Sequence, residues 1–207
     1  MTKPIRQSLT ERRTEELRMT IARKAAEIFV SDGDTSATVE RIAEAAGIAT
    51  RTFYRHFPVK EDVVRPLFRH SSQLVIRALR EAPCEGDLIE VLVGVWMSAL
   101  EEETIGPSER RFLAVMAASP QYRLRWMEVD EELSEAVAEF LGKRLGWGER
   151  PLERSLPAYL VVQATRHVFM RWITSDPGQD VADLLREAFR MVLDGVRTVA
   201  AARASSG

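Results

Sequence analysis

A single cysteine, Cys84, stands in a chain of 207 residues, so no disulfide can close within it. Histidine is nearly as scarce, with three in all. His167 has no second histidine, cysteine or carboxylate at ligand spacing and reads as a satisfied polar residue, not a metal ligand. Long apolar runs are missing too. "VLVGVWM" at 91–97 falls far short of the roughly 18 to 20 residues that cross a bilayer, so no transmembrane helix is expected. Residues 1–20 are charged without an apolar segment, which excludes a secretory signal and predicts a cytoplasmic protein. Neither G-x-S-x-G nor H-E-x-x-H occurs. Gly142, Gly146 and Gly148 lie at a helix end with no following strand and no phosphate-binding lysine and hydroxyl pair, and read as a turn. An enzyme is not expected, nor is any cofactor or metal. No alternating run is long enough for a sheet, and the periodicity throughout is helical, which predicts an all-α protein.

What is present is apolar content and charge, unevenly placed. With 45% hydrophobic residues the chain can bury a sizeable core, and its length exceeds the usual single domain, so two domains are expected. The net charge of -2 hides an asymmetry. Residues 1–70 carry 13 Lys and Arg against 10 Asp and Glu, the rest 16 against 21. The excess of positive charge lies where phosphate contacts would need it, although a division this modest also fits chance variation of a surface.

The most informative stretch is "TVERIAEAAGIATRTFYRHFPVK", Thr38 to Lys60. Val39, Ile42, Ala43 and Ala46 recur at i, i+3, i+4 and i+7 behind Thr38 as N-cap, giving one helix face. Gly47 supplies the left-handed residue that ends this helix, and a second runs from about Ala49 to His56. Phe53 turns inward with Ile48 and Phe57. Thr50, Arg51, Thr52, Tyr54 and Arg55 turn outward, a set of hydroxyls and guanidinium groups suited to base edges and phosphates in a major groove. The spacing fits equally an ordinary helix pair in an all-helical bundle.

From Arg12 to about Leu67 the sequence resembles the N-terminal DNA-binding domain of TetR-family transcriptional repressors, in "AAEIFVSDG", "TVERIAEAAGI" and "FYRHFPVKEDV". Ala49 departs from a frequent hydroxyl cap, Arg51 from a small residue and Val59 from a Ser, Thr, Asn or Asp cap. The resemblance implies a repressor that binds a palindromic operator in double-stranded DNA as a homodimer. Thr50, Arg51, Thr52 and Arg55 would then contact bases, and Thr38, Tyr54, His56 and Lys60 phosphates. "FLAVMAASPQYRLRWMEVDEELSEAVAEFLGKRLG" and "RHVFMRWITSD" resemble the C-terminal domain of mycofactocin-type TetR regulators, a subgroup associated with acyl-CoA or similar ligands. The alternative is an all-helical carrier or interaction protein that keeps the fold without specific DNA binding.

Around the motif, Ser8 and Glu11 fit a capping box for a first helix with Leu17, Ile21, Ala25, Ile28 and Phe29 on one stripe, closed by Asp32, Gly33 and Asp34. A fourth helix is expected from Pro58 to about Ala82, kinked or broken near Asp62 to Pro66 because a proline inside a helix removes one donor and clashes with the preceding turn. Further helices read at 87–103, 107–118, 120–145, 151–174 and 179–202. The expected organisation is a flexible arm at 1–9, where Lys3 and Arg6 sit, the DNA-binding domain at 10–57, a connecting helix at 58–82, a ligand-binding and dimerisation domain at 83–203 and a tail at 204–207. Trp96, Phe112, Met116, Tyr122, Trp126, Arg166, Phe169 and Met170 are candidates to line the effector site, Arg166 for an anionic group, although such residues fill cores as well. Val181, Leu185, Val192 and Val196, on a helix apolar around much of its circumference, are the candidate dimer interface.

Overall fold

The computed structural model describes residues 8–103, 106–146, 151–174 and 179–204, with side chains up to residue 194 in the last segment. Positions 1–7 and 205–207, with Lys3 and Arg6, lie outside the described residues, as do Gly148, Pro177, Gly178 and the side chain of Val196. Among the described residues regular structure is helical throughout.

The helix α1 (Leu9–Asp32) starts at the expected capping box, with Ser8 Oγ accepting the Glu11 amide and the Glu11 carboxylate accepting the Ser8 amide at 2.7 Å. It ends at Gly33, φ 77°, whose amide donates to the Phe29 carbonyl. Thr38 caps α2 (Val39–Ala45) by accepting the Arg41 amide, and Val39, Ile42 and Ala43 are buried. Gly47 takes φ 68° and turns the chain toward α3 (Thr50–His56).

The expected fourth helix begins later than Pro58. Residues Lys60–Val64 form a 3₁₀ turn, and α4 runs Arg65–Glu81, so Pro66 falls in its first turn. The Arg65 amide donates to the Asp62 carbonyl of the 3₁₀ turn, while Pro66 has no amide to place, so the break expected near Asp62 to Pro66 takes the form of a change from 3₁₀ to α-helix after Val64. The remaining helices are α5 (Leu88–Glu103), α6 (Pro107–Ala118), α7 (Pro120–Glu128), α8 (Asp130–Leu145), α9 (Pro151–Thr174) and α10 (Val181–Ala204). The single helix expected over 120–145 is two, parted at Val129. Asp87 caps α5 by accepting the Ile89 and Glu90 amides, and Asp180 accepts the Ala182 amide at the start of α10.

Two compact units result. One comprises the residues up to His70 together with Arg111–Trp126, the other Ser71–Arg110 together with the residues from Met127 onward. The first places part of α6 and most of α7 with the helix-turn-helix, although the sequence reading assigned that segment to the C-terminal domain. In the second unit, Leu92 and Trp96 of α5, Val137 and Leu141 of α8, Ala158 and Val161 of α9, and Leu185, Phe189 and Leu193 of α10 form one core. Trp96 packs on Phe189 with ring centroids 5.4 Å apart.

Candidate nucleic-acid interface

In α3 only Phe53 is buried, and with Phe57 it anchors the helix against the unit, ring centroids 5.3 Å apart. The remaining positions turn out. Arg51, Tyr54 and Arg55 are exposed and Thr50 and Thr52 half-exposed, so the five residues singled out from the sequence share the outward side. Tyr54 leans edge-on against Phe53, which holds its ring upright over the helix surface. Ala49 precedes the helix without a side-chain cap, so the amides of its first turn keep no local side-chain acceptor.

Three further candidates flank this helix. Thr38 is exposed at the start of α2, its hydroxyl already accepting the Arg41 amide. Lys60 is half-buried, and its ammonium donates to the carbonyls of Thr35 at 2.9 Å and Ala37 at 3.3 Å, which ties the 3₁₀ turn to the segment before α2. His56 closes α3 with its Nε2 buried. Burial first, then the guanidinium groups of Arg55 and Arg18, hold its imidazole below the ordinary histidine pKa. Arg18 of α1 also lies over the Phe57 ring, 5.3 Å from its centroid.

The candidates for an effector site fall in both units. Phe112 and Met116 of α6 and Tyr122 and Trp126 of α7 belong to the first unit. Tyr122 packs edge-on against Phe29 at 5.4 Å, and Phe68 lies parallel to Trp126 at 5.5 Å and tilted against Phe112 at 6.0 Å. They pack within the core of the first unit. Trp96, Arg166, Phe169 and Met170 belong to the second. Arg166 is engaged there by Asp130 and Gln163, so its charge is already matched. Burial pushes the Asp130 carboxyl up to about 6 against the opposing pull of Arg166. An open groove of about 500 Å³ lies between α4 and α5, with Ala78, Ala82, Val91 and Val95 along it and Glu81, Asp87 and Glu90 at its edges.

Of the candidate dimer contacts, Val181 and Leu185 are buried in the chain's own core and offer nothing to a partner, while Val192 is half-buried against it. Among the described residues an apolar stripe meets solvent on α9, where Leu152, Leu156, Tyr159 and Leu160 are exposed, and Met191 of α10 and Leu124 and Met127 of α7 are exposed as well. The α9 spacing of i, i+4, i+7 and i+8 was legible in the sequence, but so were several stripes on the same helix, and only packing tells which of them is covered.

Residues 21–67 match the family of bacterial regulatory proteins of the tetR type, and residues 91–197, more than half of the chain, match the MftR C-terminal domain. The chain belongs to the TetR family. It is 25% identical over 175 residues to MftR of Mycobacterium tuberculosis, a regulator named for mycofactocin biosynthesis, covering 83% of this chain and 87% of that one. It is 26% identical over 145 residues to the transcriptional regulator TcmR of Streptomyces glaucescens, a match that spans 67% of this chain and 64% of TcmR, less than two thirds of the latter's length. Among solved structures it resembles FadR of Thermus thermophilus, a TetR-family repressor crystallised with lauroyl-CoA, at TM-score 0.62 and 26% identity over 86% of this chain and 94% of that one. The chain is thus a TetR-family regulatory protein, and the helix-turn-helix at Thr38 to Lys60 lies within the segment that matches the family's N-terminal domain. Among the described residues no helix is long and apolar enough to cross a membrane.

Proposed function

We propose that this TetR-family protein binds a palindromic operator as a homodimer and releases it on taking up a small hydrophobic, acyl-bearing ligand. The observation that carries the first part is the outward face of α3, where Arg51, Tyr54 and Arg55 stand exposed over a single buried Phe53. In this reading Thr50, Arg51, Thr52 and Arg55 meet base edges, and Thr38, Tyr54, His56 and Lys60 meet phosphates. A guanidinium can pair with two acceptors of one guanine, whereas the lysine and hydroxyl groups fix the helix on the backbone without reading sequence.

One seven-residue helix touches too few base pairs to specify a genomic address, which argues for two copies on an inverted repeat. The exposed stripe Leu152, Leu156, Tyr159 and Leu160 of α9 supports a dimer through that helix, since an apolar face of this extent stays soluble by covering itself. An acyl-bearing ligand rests on the likeness to FadR, and within this chain on the apolar residues of the second unit, Trp96, Phe169 and Met170. Arg166 is not its anion partner in this reading, because Asp130 already neutralises it.

Selection of bound sequences from random duplex DNA tests the central part. Enrichment of an inverted repeat with half-site centres about 34 to 36 Å apart, or a related spacing on bent DNA, is the expected result. Enrichment of no sequence at all would leave the all-helical carrier as the better reading. Repeating the binding with lauroyl-CoA present should weaken the complex about 5- to 150-fold if the ligand class is right.

A further inference from the structure

Asp62 is a buried carboxylate in the middle of the 3₁₀ turn Lys60–Val64, and two guanidinium groups reach it. Arg65 lies 3.2 Å away, and Arg125, from α7, 2.9 Å away. The two are not equivalent. Arg65 is three residues along the same stretch of chain, so its pairing with Asp62 is local. Arg125 can fix the turn against the rest of the unit, because its helix is itself anchored on both sides of it, by Tyr122 on Phe29 and by Trp126 on Phe68.

The turn needs such a hold. Short 3₁₀ segments have weak internal hydrogen bonding, and Val59 gives this one no side-chain cap. What sets its position is the burial of Val63 and Val64 below it, the Lys60 ammonium on the Thr35 and Ala37 carbonyls at its start, and the Arg125 ion pair at its centre. The side chains of Arg125 and Asp62 keep only 19% and 13% of their exposure, so water screens the pair little.

We propose that Arg125 is a positioning residue for operator binding: through Asp62 it holds the Lys60 turn where the ammonium can meet a DNA phosphate. This rests on the reading of Lys60 as a phosphate contact. It makes α7, more than sixty residues beyond the recognition helix, part of the machinery that sets the fit to DNA.

The test is the salt dependence of operator affinity, because its slope counts phosphates neutralised. A partly unfolded preparation lowers apparent affinity and leaves the slope alone. Lys60→Ala should reduce the slope by about one per subunit. Arg125→Gln should reduce it similarly with Lys60 still in place, and Arg125→Lys, which keeps a cation beside Asp62, should return it close to the wild-type value. Should Arg125→Gln fail to fold, the double variant Asp62→Asn/Arg125→Gln removes both charges together and carries the same expectation. A wild-type slope for the Arg125→Gln or double variant, beside a reduced slope for Lys60→Ala, overturns the proposal at any affinity. An unchanged slope for Lys60→Ala overturns the phosphate reading of Lys60, and the role of Arg125 with it.

Discussion

Helices α3 and α9 each show solvent one side, and the two sides are opposites. On α3 the outward residues are hydroxyls, guanidinium groups and one tyrosine over a single buried phenylalanine. On α9 they include three leucines and a tyrosine over a broad buried face of Val161, Val162, Thr165 and Val168. A polar face keeps its water cheaply and exchanges it only for a partner that returns hydrogen bonds and charge, as phosphates and base edges do. An apolar face gains by losing water to any complementary apolar surface, and a second copy of the same helix is the nearest one. In the proposed function the same secondary structure serves recognition of two kinds, and the difference lies in which residue types are left outside.

The strongest way to break this contrast is to make the α9 face polar. Leu156→Glu with Tyr159→Glu should yield a monomer in light scattering at micromolar concentration and lower operator affinity by about 10²- to 10⁴-fold, since two linked half-site contacts become separate ones. A dimer that survives these changes would move the interface elsewhere. On α3, Arg51→Ala should cost about 1 to 3 kcal/mol on the selected operator and relax its preference, while binding to unrelated DNA changes far less. Wild-type affinity and preference in this variant would remove Arg51 from the base-reading set.

A third expectation sharpens the contrast within the interior, where charge is retained at a cost. The Asp130 carboxyl titrates at about 6 in the folded chain, above its ordinary value near 3.8. A raised carboxylate pKa means that the folded state holds the proton better, so this stability is fully present below about 3.8 and is lost as pH rises through about 6. Denaturant unfolding across pH 4 to 7 should therefore show a loss of about 1 to 3 kcal/mol in the wild type that Asp130→Asn lacks. Parallel pH profiles would show that Arg166 offsets the burial completely. The smallest effect is expected at Tyr122, whose buried hydroxyl has no hydrogen-bond partner, so that burial also raises its pKa. Tyr122→Phe removes a group that lost its water without return. It should leave stability equal or raise it by about 1 kcal/mol, with operator affinity unchanged. A melting temperature several degrees lower would reveal a partner for that hydroxyl, such as a bound water.

The first part of the fold was legible because its signals are local. Ser8 with Glu11, Thr38 and Gly47 each settle a helix end through their own hydrogen bonds or backbone angle, and the structure places all of them as the sequence predicts. Tertiary choices were less readable. Tyr122, Trp126, Leu133, Val137 and Phe140 keep one helical phase across Val129, with no proline or glycine between them, so periodicity gives a single helix over 120–145. The break exists because Tyr122 and Trp126 pack in one unit while Leu133, Val137 and Phe140 do so in the other, and phase says nothing of which core a stripe enters. Pro66 does mark the break expected near Asp62 to Pro66, but as the second residue of α4 it starts the α-helix after a 3₁₀ turn instead of kinking a helix begun at Pro58. On α10, valines and leucines at helical spacing suggested a partner-facing surface, whereas Val181 and Leu185 are buried in the chain's own core. At the candidate site, residue types identified the face of α3, whereas the Arg125 contact with Asp62 joins residues too far apart in sequence for any spacing rule.

The DNA-reading unit is also discontinuous along the chain, with its last portion, Arg111–Trp126, arriving after the intervening helix α5. During synthesis, helices α1 to α3 emerge first, but the aromatic rings that cover Phe29 and Phe68 are added only with α6 and α7. Until then the nascent helix-turn-helix carries uncovered apolar surface and lacks the ion pair from Arg125. A ribosome halted before residue 126, or a gene cut at the end of the helix-turn-helix, would release an incomplete reader. A fragment that ends at the helix-turn-helix leaves Phe29 and Phe68 without the rings that cover them, and one that runs through α7 keeps those contacts.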